Sequence, residues 1–342
     1  MGEIKLEWEK ALEEKDCEKL LELFDDYIDS IEDEETLRKE LERLKEVALQ
    51  CEDPYDLAHE VAHVYSHLGD VEAGIELYKK LVEMKKDDPE EYATALYYLA
   101  DAYEHFGMPD KAIETYEKLL ELERELGNKK EEALTLAHIA INYDELEEIE
   151  KAIELMEKAS VMFKELGDER NYLISLLDLA HFYYELGDYE KSEELLSEIL
   201  KAPRDTEIEV NARIIEAEIK AAQEDFKGAF QSLKQALLKA LEVDDEELFS
   251  IVFEAVYNFI MELFEEKMYK EVYENIGSLA DAFEDINEEY EKFFTAVKEL
   301  AKLKDGLDNE YDRVYGTISV DEFKELLDEL KKIGTSVLSV RL

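Results

Sequence analysis

Apolar residues recur three and four positions apart along most of the chain, which is the period of helices that bury one face. Four stretches show it best: "AHEVAHVYSHLGDVEAGIELYKKL" (58–81), "LYYLADAYEHFGMPDKAIETYEKLL" (96–120), "LAHIAINYDELEEIEKAIELMEKA" (136–159) and "LLDLAHFYYELGDYEKSEELLSEIL" (176–200). Each contains a tyrosine, Tyr65, Tyr103, Tyr143 or Tyr183, and their separations are 38, 40 and 40 residues. Three positions before each tyrosine stands Ala62, Ala100, Ala140 or Ala180, preceded by Val61, Leu99, Ile139 or Leu179. Nine positions after it stands a small residue, Gly74, Ala112, Ala152 or Ser192, and four further on a large one, Tyr78, Tyr116, Met156 or Leu196. The "LGD", "FGMPD" and "LGDY" stretches interrupt the helical period and predict tight turns. Each unit therefore reads as two antiparallel helices that meet closely at the small residue. One such pair cannot bury both its faces, so neighbours must stack.

At Ala100, Tyr103, Gly107, Ala112 and Tyr116 the sequence resembles the tetratricopeptide repeat (TPR) family. Its units run longer than the family's usual length of about 34 residues. The resemblance implies an all-α fold, a right-handed TPR-like α-solenoid of stacked antiparallel helix pairs, here about six or seven, with no sheet. It also implies that the exposed arc of each first helix lines a concave, protein-binding groove. The expected organisation is a degenerate repeat plus an extra helix over 1–53, four clear repeats over 54–203, degenerate repeats over 204–304, and a capping helix and tail over 305–342. "GTISVDEF" looks like half of a calcium loop, but Tyr311, Arg313 and Tyr315 stand where early ligands belong. It reads instead as a helix start, with Ser319 and Glu322 forming a capping box. The tail "TSVLSVRL" reads as frayed or as a strand offered to another chain.

Composition narrows the function. Of 342 residues, 46% are hydrophobic and only 12 are Gly and 4 Pro, which suits a helical core. Asp and Glu number 91 against 40 Lys and Arg, a formal charge of −51. That excludes a phosphate-binding surface for nucleic acid and docking on anionic membranes, and favours a cationic partner. Cys17 and Cys51 form no disulfide framework or metal spacing, so both read as buried thiols. No signal core opens the chain, and the most apolar window, 250–264, is interrupted by Glu254, Asn258 and Glu262. A cytoplasmic protein is expected, and the scarcity of Asn and Gln beside Glu and Lys suits a heat-adapted source.

Candidate chemistry sits on the first helices. "HEVAH" (59–63) matches the H-E-x-x-H signature of zinc peptidases. The repeat already explains its neighbours, however, because Ala58, Val61, Ala62 and Tyr65 share the packed arc while Asp56, His59, His63 and His67 share the opposite one. A peptidase would also need a shaped domain around the helix. His59, His63, His67 and Asp101 are the candidates for a metal site, with His105 expected beside His67 and Asp101 beside His63. The reading preferred is solvated groove histidines, with no cofactor. The first-helix stretches "PYDLAHEVAHVYSHLG", "EYATALYYLADAYEHF", "EEALTLAHIAINYDELE" and "NYLISLLDLAHFYYELG" contain no Lys or Arg, though both are plentiful elsewhere. The expected groove is then Asp56, His59, His63, His67, Tyr97, Asp101, Glu104, His105, Asp144, Glu145, His181, Tyr184 and Glu185. It lacks the Lys, Arg and Asn with which some TPR domains clamp acidic C-termini. These residues describe a non-enzymatic interaction scaffold whose acidic groove receives a basic protein segment. Two other readings are a zinc-dependent hydrolase centred on His59, Glu60 and His63, and a self-associating regulatory module closed into a homodimer by the C-terminal helix and tail.

Overall fold

The computed structural model describes residues 2–201, 205–243 and 245–333, and every regular element among them is a helix. The chain divides into two compact units, Met1–Asp168 and Glu169–Leu342. The division falls within the run of four clear repeats, leaving three of them in unit 1 and the fourth in unit 2.

Unit 1 contains α1 (Gly2–Glu14), α2 (Cys17–Ile28), α3 (Glu34–Ala48), α4 (Tyr55–His67), α5 (Val71–Lys85), α6 (Pro89–His105), α7 (Pro109–Leu126), α8 (Lys129–Glu145) and α9 (Ile149–Leu166). Helices α1/α2, α4/α5, α6/α7 and α8/α9 form antiparallel pairs, and α3 stands between the first and second of them. The repeated small and large residues do what their spacing predicts. Ala62, Ala100 and Ala140 are buried on the first helices, and Ala112, Ala152, Tyr78, Tyr116 and Met156 are buried on the second. At Gly74 the two helices approach so closely that an added Cβ would lie 2.8 Å from the Cα of Ala62.

The turns follow local chemistry. Gly107 takes φ 67°, a left-handed conformation that suits glycine, and Glu147 holds the same place one repeat later at φ 60°. Aspartates then start the next helices: the Asp70 side chain accepts from the Ala73 N–H, and Asp88 from the Glu90 and Glu91 N–H groups. At the N-terminal end Trp8 is fully buried, stacks on Tyr27 at 4.4 Å and donates from Nε1 to Glu40 at 2.6 Å. Arg43 ties Glu40 to Glu9.

The two cysteines depart from expectation. They are not buried thiols but a disulfide, Cys17–Cys51, with Cα atoms 6.2 Å apart. It joins the start of α2 to the turn after α3, and both residues are partly exposed. A separation of 34 positions says nothing about distance until the return path of α3 is known.

Unit 2 contains α10 (Glu169–Glu185), α11 (Tyr189–Lys201), α12 (Thr206–Ala222), α13 (Phe226–Glu242), α14 (Glu246–Glu265), α15 (Tyr269–Asn275), α16 (Gly277–Phe283), α17 (Glu288–Lys304), α18 (Tyr311–Tyr315) and α19 (Asp321–Lys332). The pairs α10/α11 and α12/α13 continue the repeat; Ser192 is buried against α10, its Oγ donating to the carbonyl of Ala180 at 2.5 Å. The second helix of the following pair is broken into α15 and α16 around Ile276. The core here is aromatic, with Phe230, Phe264, Phe283, Phe293 and Phe294 fully buried. The last helix, α19, closes this core with Phe323, Leu327 and Leu330, so its apolar face is occupied within the unit. The expected capping box at Ser319 does not form. Glu289 of α17 instead accepts from the Ser319 and Val320 N–H groups at 2.8 and 3.3 Å, and those bonds hold its carboxyl down at about 2. The tail at 335–342 lies outside the described residues, as does part of the linker at 201–207.

Candidate functional site

The side chains of interest stand on successive first helices, whose other arcs are committed to the core. In unit 1 these are α4, α6 and α8. Asp56, His59, His63 and His67 are exposed along α4; Tyr97, Asp101 and Glu104 are half-buried on α6, and His105 is exposed. The structure brings histidines of two helices together, in a register slipped from the expected one. The His105 ring lies 5.5 Å from His59 and 6.5 Å from His63, centroid to centroid, rather than beside His67. His67 meets His63 edge-on at 4.5 Å. Sequence repeats fix the phase of each helix but not its axial offset, and α6 is four residues longer than α4, 17 against 13.

The inner end of this wall is a network. The side-chain amide of Asn142 donates to Glu104 at 2.8 Å, and His138 Nδ1 lies 3.4 Å from the same carboxylate. His138 stacks on Tyr116 at 5.0 Å and meets Tyr97 edge-on at 5.6 Å. Burial raises Glu104, but the bonds from His138 and Asn142 outweigh it and hold its carboxyl below the usual value. Asp101 moves the other way: burial and the charge of Glu104 push it up, against the pull of His138, His59 and His105. Tyr97, Tyr98, Glu131, Thr135 and His138 line an adjoining cavity of about 620 Å³. Asp144 and Glu145 follow at the end of α8.

In unit 2 the corresponding face runs over α10, α12 and α14. His181 Nε2 lies 3.4 Å from the Glu185 carboxylate, and Tyr184 is half-buried at 6.0 Å from Tyr189. Burial and the charges of Glu262 and Glu185 push Glu218 up to about 7, with no cation among the groups acting on it. The Tyr184 hydroxyl is raised by burial and by Glu218.

The sequence reading missed His138, Glu218 and Glu262. A signal for the first two was present. Tyr98, His138, Asp178 and Glu218 stand 40 residues apart, the repeat length, and the first three lie five positions before their repeat tyrosines. The expected absence of bases from the first helices needs correction as well. It holds for α4 and α6; α12 on the unit 2 face carries Arg213 and Lys220, and α8 and α10 start two residues earlier than expected and include Lys129, Lys130 and Arg170. These three sit at helix starts in ion pairs, Lys129 with Glu132 at 2.6 Å, Lys130 with Asp168 at 2.9 Å and Arg170 with Glu207 at 2.9 Å.

No described helix is long and apolar enough to cross a membrane. Tetratricopeptide repeat models match residues 55–125, 91–165 and 131–205. No curated protein matches the chain. Among solved structures, a signal-transduction ATPase with a tetratricopeptide repeat sensor from Pyrococcus horikoshii aligns with TM-score 0.54 and 18% identity, over 85% of this chain and 46% of that one. A monomeric mutant of IFIT1 solved with Gppp-AAAA aligns with TM-score 0.50 and 18% identity, over 76% of this chain and 57% of that one. At such identities the likeness concerns the fold.

Proposed function

Because residues 55–205 are tetratricopeptide repeats, we propose that the chain is a non-enzymatic scaffold whose first-helix faces hold a basic segment of another protein. A stacked-repeat protein presents such faces as extended binding surfaces. The observation that carries the reading is the state of the carboxylates there. Asp101 and Glu218 are half-buried, and both are raised by burial and by neighbouring carboxylates. Other carboxylates are paired locally, both on second helices, as in Glu114–Lys118 at 2.7 Å and Glu154–Lys158 at 2.7 Å, and on α12, as in Glu216–Lys220 at 2.9 Å. A Lys or Arg delivered by a partner would relieve the repulsion on the first-helix faces, with Tyr97 and Tyr184 supplying contact area and ring faces for the cation. The overall charge of −51 would speed the encounter but not select the face.

The test is binding of a labelled Arg/Lys-rich peptide, at low and physiological salt, to two charge-reversed proteins. Asp56→Lys with Asp101→Lys alters the α4/α6 face; Glu114→Lys with Glu121→Lys alters α7 by the same net charge. The first pair should weaken binding at least tenfold more than the second, and affinity should fall as salt rises. Equal losses from both pairs would reduce the attraction to net charge and refute the groove.

A further inference from the structure

Four of the chain's six histidines gather in one patch of unit 1. His59, His63 and His67 follow one another at four-residue intervals on the exposed arc of α4, and α6 carries His105 across to them. The ring centroids of His59, His63 and His105 form a compact triangle with sides 6.4, 5.5 and 6.5 Å. Imidazole nitrogens bind a borderline divalent ion at roughly 2.0–2.1 Å. Three rings around one such ion therefore place their centroids about 5 Å apart, slightly closer than they stand here. The ring nitrogens do not all lie within 4.8 Å of one another, so closure on one ion calls for rotamer turns of exposed side chains.

We propose that His59, His63 and His105 form an inter-helix site for one imidazole-preferring divalent ion, of the zinc, nickel and copper class. Neutral imidazoles suit these ions, and not magnesium or calcium, which take oxygen ligands. His67, edge-on to His63, limits how that ring can turn. Asp101, four residues before His105 on α6, feels the charge of both His59 and His105 and is assigned the part of completing or orienting the ligand set. No Lys or Arg lies on α4 or α6 to repel the ion. The interaction-scaffold reading does not depend on this site, and the site does not depend on it.

The experiment is calorimetric titration of chelator-stripped protein with zinc chloride at neutral pH, in physiological salt with millimolar magnesium to occupy loose carboxylate sites. One zinc per chain is expected, together with a rise in the unfolding midpoint, because the ion joins α4 to α6. His105→Gln and His59→Gln should each weaken binding at least tenfold and abolish the rise, while His138→Gln leaves both intact. Circular dichroism of each variant confirms that it is folded. If His105→Gln binds zinc as the unaltered protein does, the inter-helix site does not exist and the i,i+4 pairs of α4 act alone. If zinc binds at several sites and magnesium displaces it, the affinity belongs to carboxylates and the proposal fails. Failure on either count leaves the peptide-binding test unaffected, because that test uses no metal.

Discussion

Gly74→Ala is the substitution that tests the packing logic most directly. Gly74 lies within α5 and is buried, where alanine would ordinarily stabilise a helix by about 0.5–1 kcal/mol. An ideal Cβ at this position falls 2.8 Å from Ala62 Cα, 3.0 Å from its Cβ and 3.1 Å from its carbonyl oxygen. Comfortable carbon–carbon separation is roughly 3.5–4.0 Å, so α5 must move away from α4 by several tenths of an ångström. Two of the three obstructing atoms are backbone and cannot rotate aside. With backbone in the way, overpacking falls in the upper part of its usual range, about 2–3 kcal/mol, which exceeds the propensity gain and leaves a net loss of about 1–2 kcal/mol. The chain's one tryptophan, Trp8, is buried in unit 1, so urea unfolding followed by its fluorescence reports on the altered unit. For a unit of this size the loss corresponds to a midpoint roughly 2–8 °C lower in a thermal scan. A Gly74→Ala protein at least as stable as the parent would show that α4 and α5 do not approach this closely. The reasoning from small residue to helix contact would then be wrong at Ala112 and Ala152 as well.

Three further outcomes follow from particular groups. Glu147→Gly removes a non-glycine residue from a left-handed turn (φ 60°) and should raise the urea midpoint of unit 1 by the equivalent of about 1 kcal/mol; no change would mean that the turn carries no strain. Cys51→Ser opens a disulfide spanning 34 positions and should lower stability by up to about 3–4 kcal/mol under non-reducing conditions, a difference that disappears when reductant is added to both proteins. Glu218 is raised from 4.5 to about 7, so folding is favoured while it is protonated, and that contribution declines as pH rises from about 4.5 through 7. Glu218→Gln should therefore stabilise unit 2 at pH 8 by at most about 3 kcal/mol and have little effect at pH 4; equal effects at both pH values would refute the assigned ionisation.

Much of the fold was legible because the repeat is written in two local codes. The apolar period of 3.6 fixed which arc each helix buries, and Gly and Asp at the turns marked where helices end and begin: Gly107 and Asp70 do what their residue types suggest. What failed to show depends on distances between elements. Cys17 and Cys51 become neighbours only because α3 returns to the start of α2. The start of α19 is capped by Glu289, 30 positions before Ser319, so the local Ser319–Glu322 pattern misled. The histidine register on α4 and α6 also depends on an axial offset that repeat alignment does not contain. His138 and Glu218 could have been found, because each stands where Tyr98 stands in its own repeat. They stand one position on from the His59 place in the repeat, off the arc that the "HEVAH" histidines mark. The disulfide also bears on the expected cytoplasmic location: such bonds persist in oxidising compartments and in the interiors of some hyperthermophiles, so a heat-adapted source would reconcile the two.

The distribution of charge supports a binding role over a purely solubilising one. Solubility is served by carboxylates anywhere on the surface, and most cheaply by exposed ones. Glu218 is instead half-buried and adds like-charge repulsion from Glu185 and Glu262, an arrangement that lowers stability whenever it is ionised. Glu104 shows that the chain can supply a half-buried carboxylate with partners of its own, the Asn142 amide at 2.8 Å and His138 at 3.4 Å. Leaving Glu218 without a comparable partner makes sense if the cation arrives from outside. An incoming Lys or Arg would then favour its ionised form, so that binding near pH 7 releases a proton. Peptide-binding heats measured in two buffers of different ionisation enthalpy should differ accordingly, and Glu218→Gln should remove the difference. If the heats already agree in the unaltered protein, no cation reaches Glu218, and the unit 2 face takes no part in holding the basic segment.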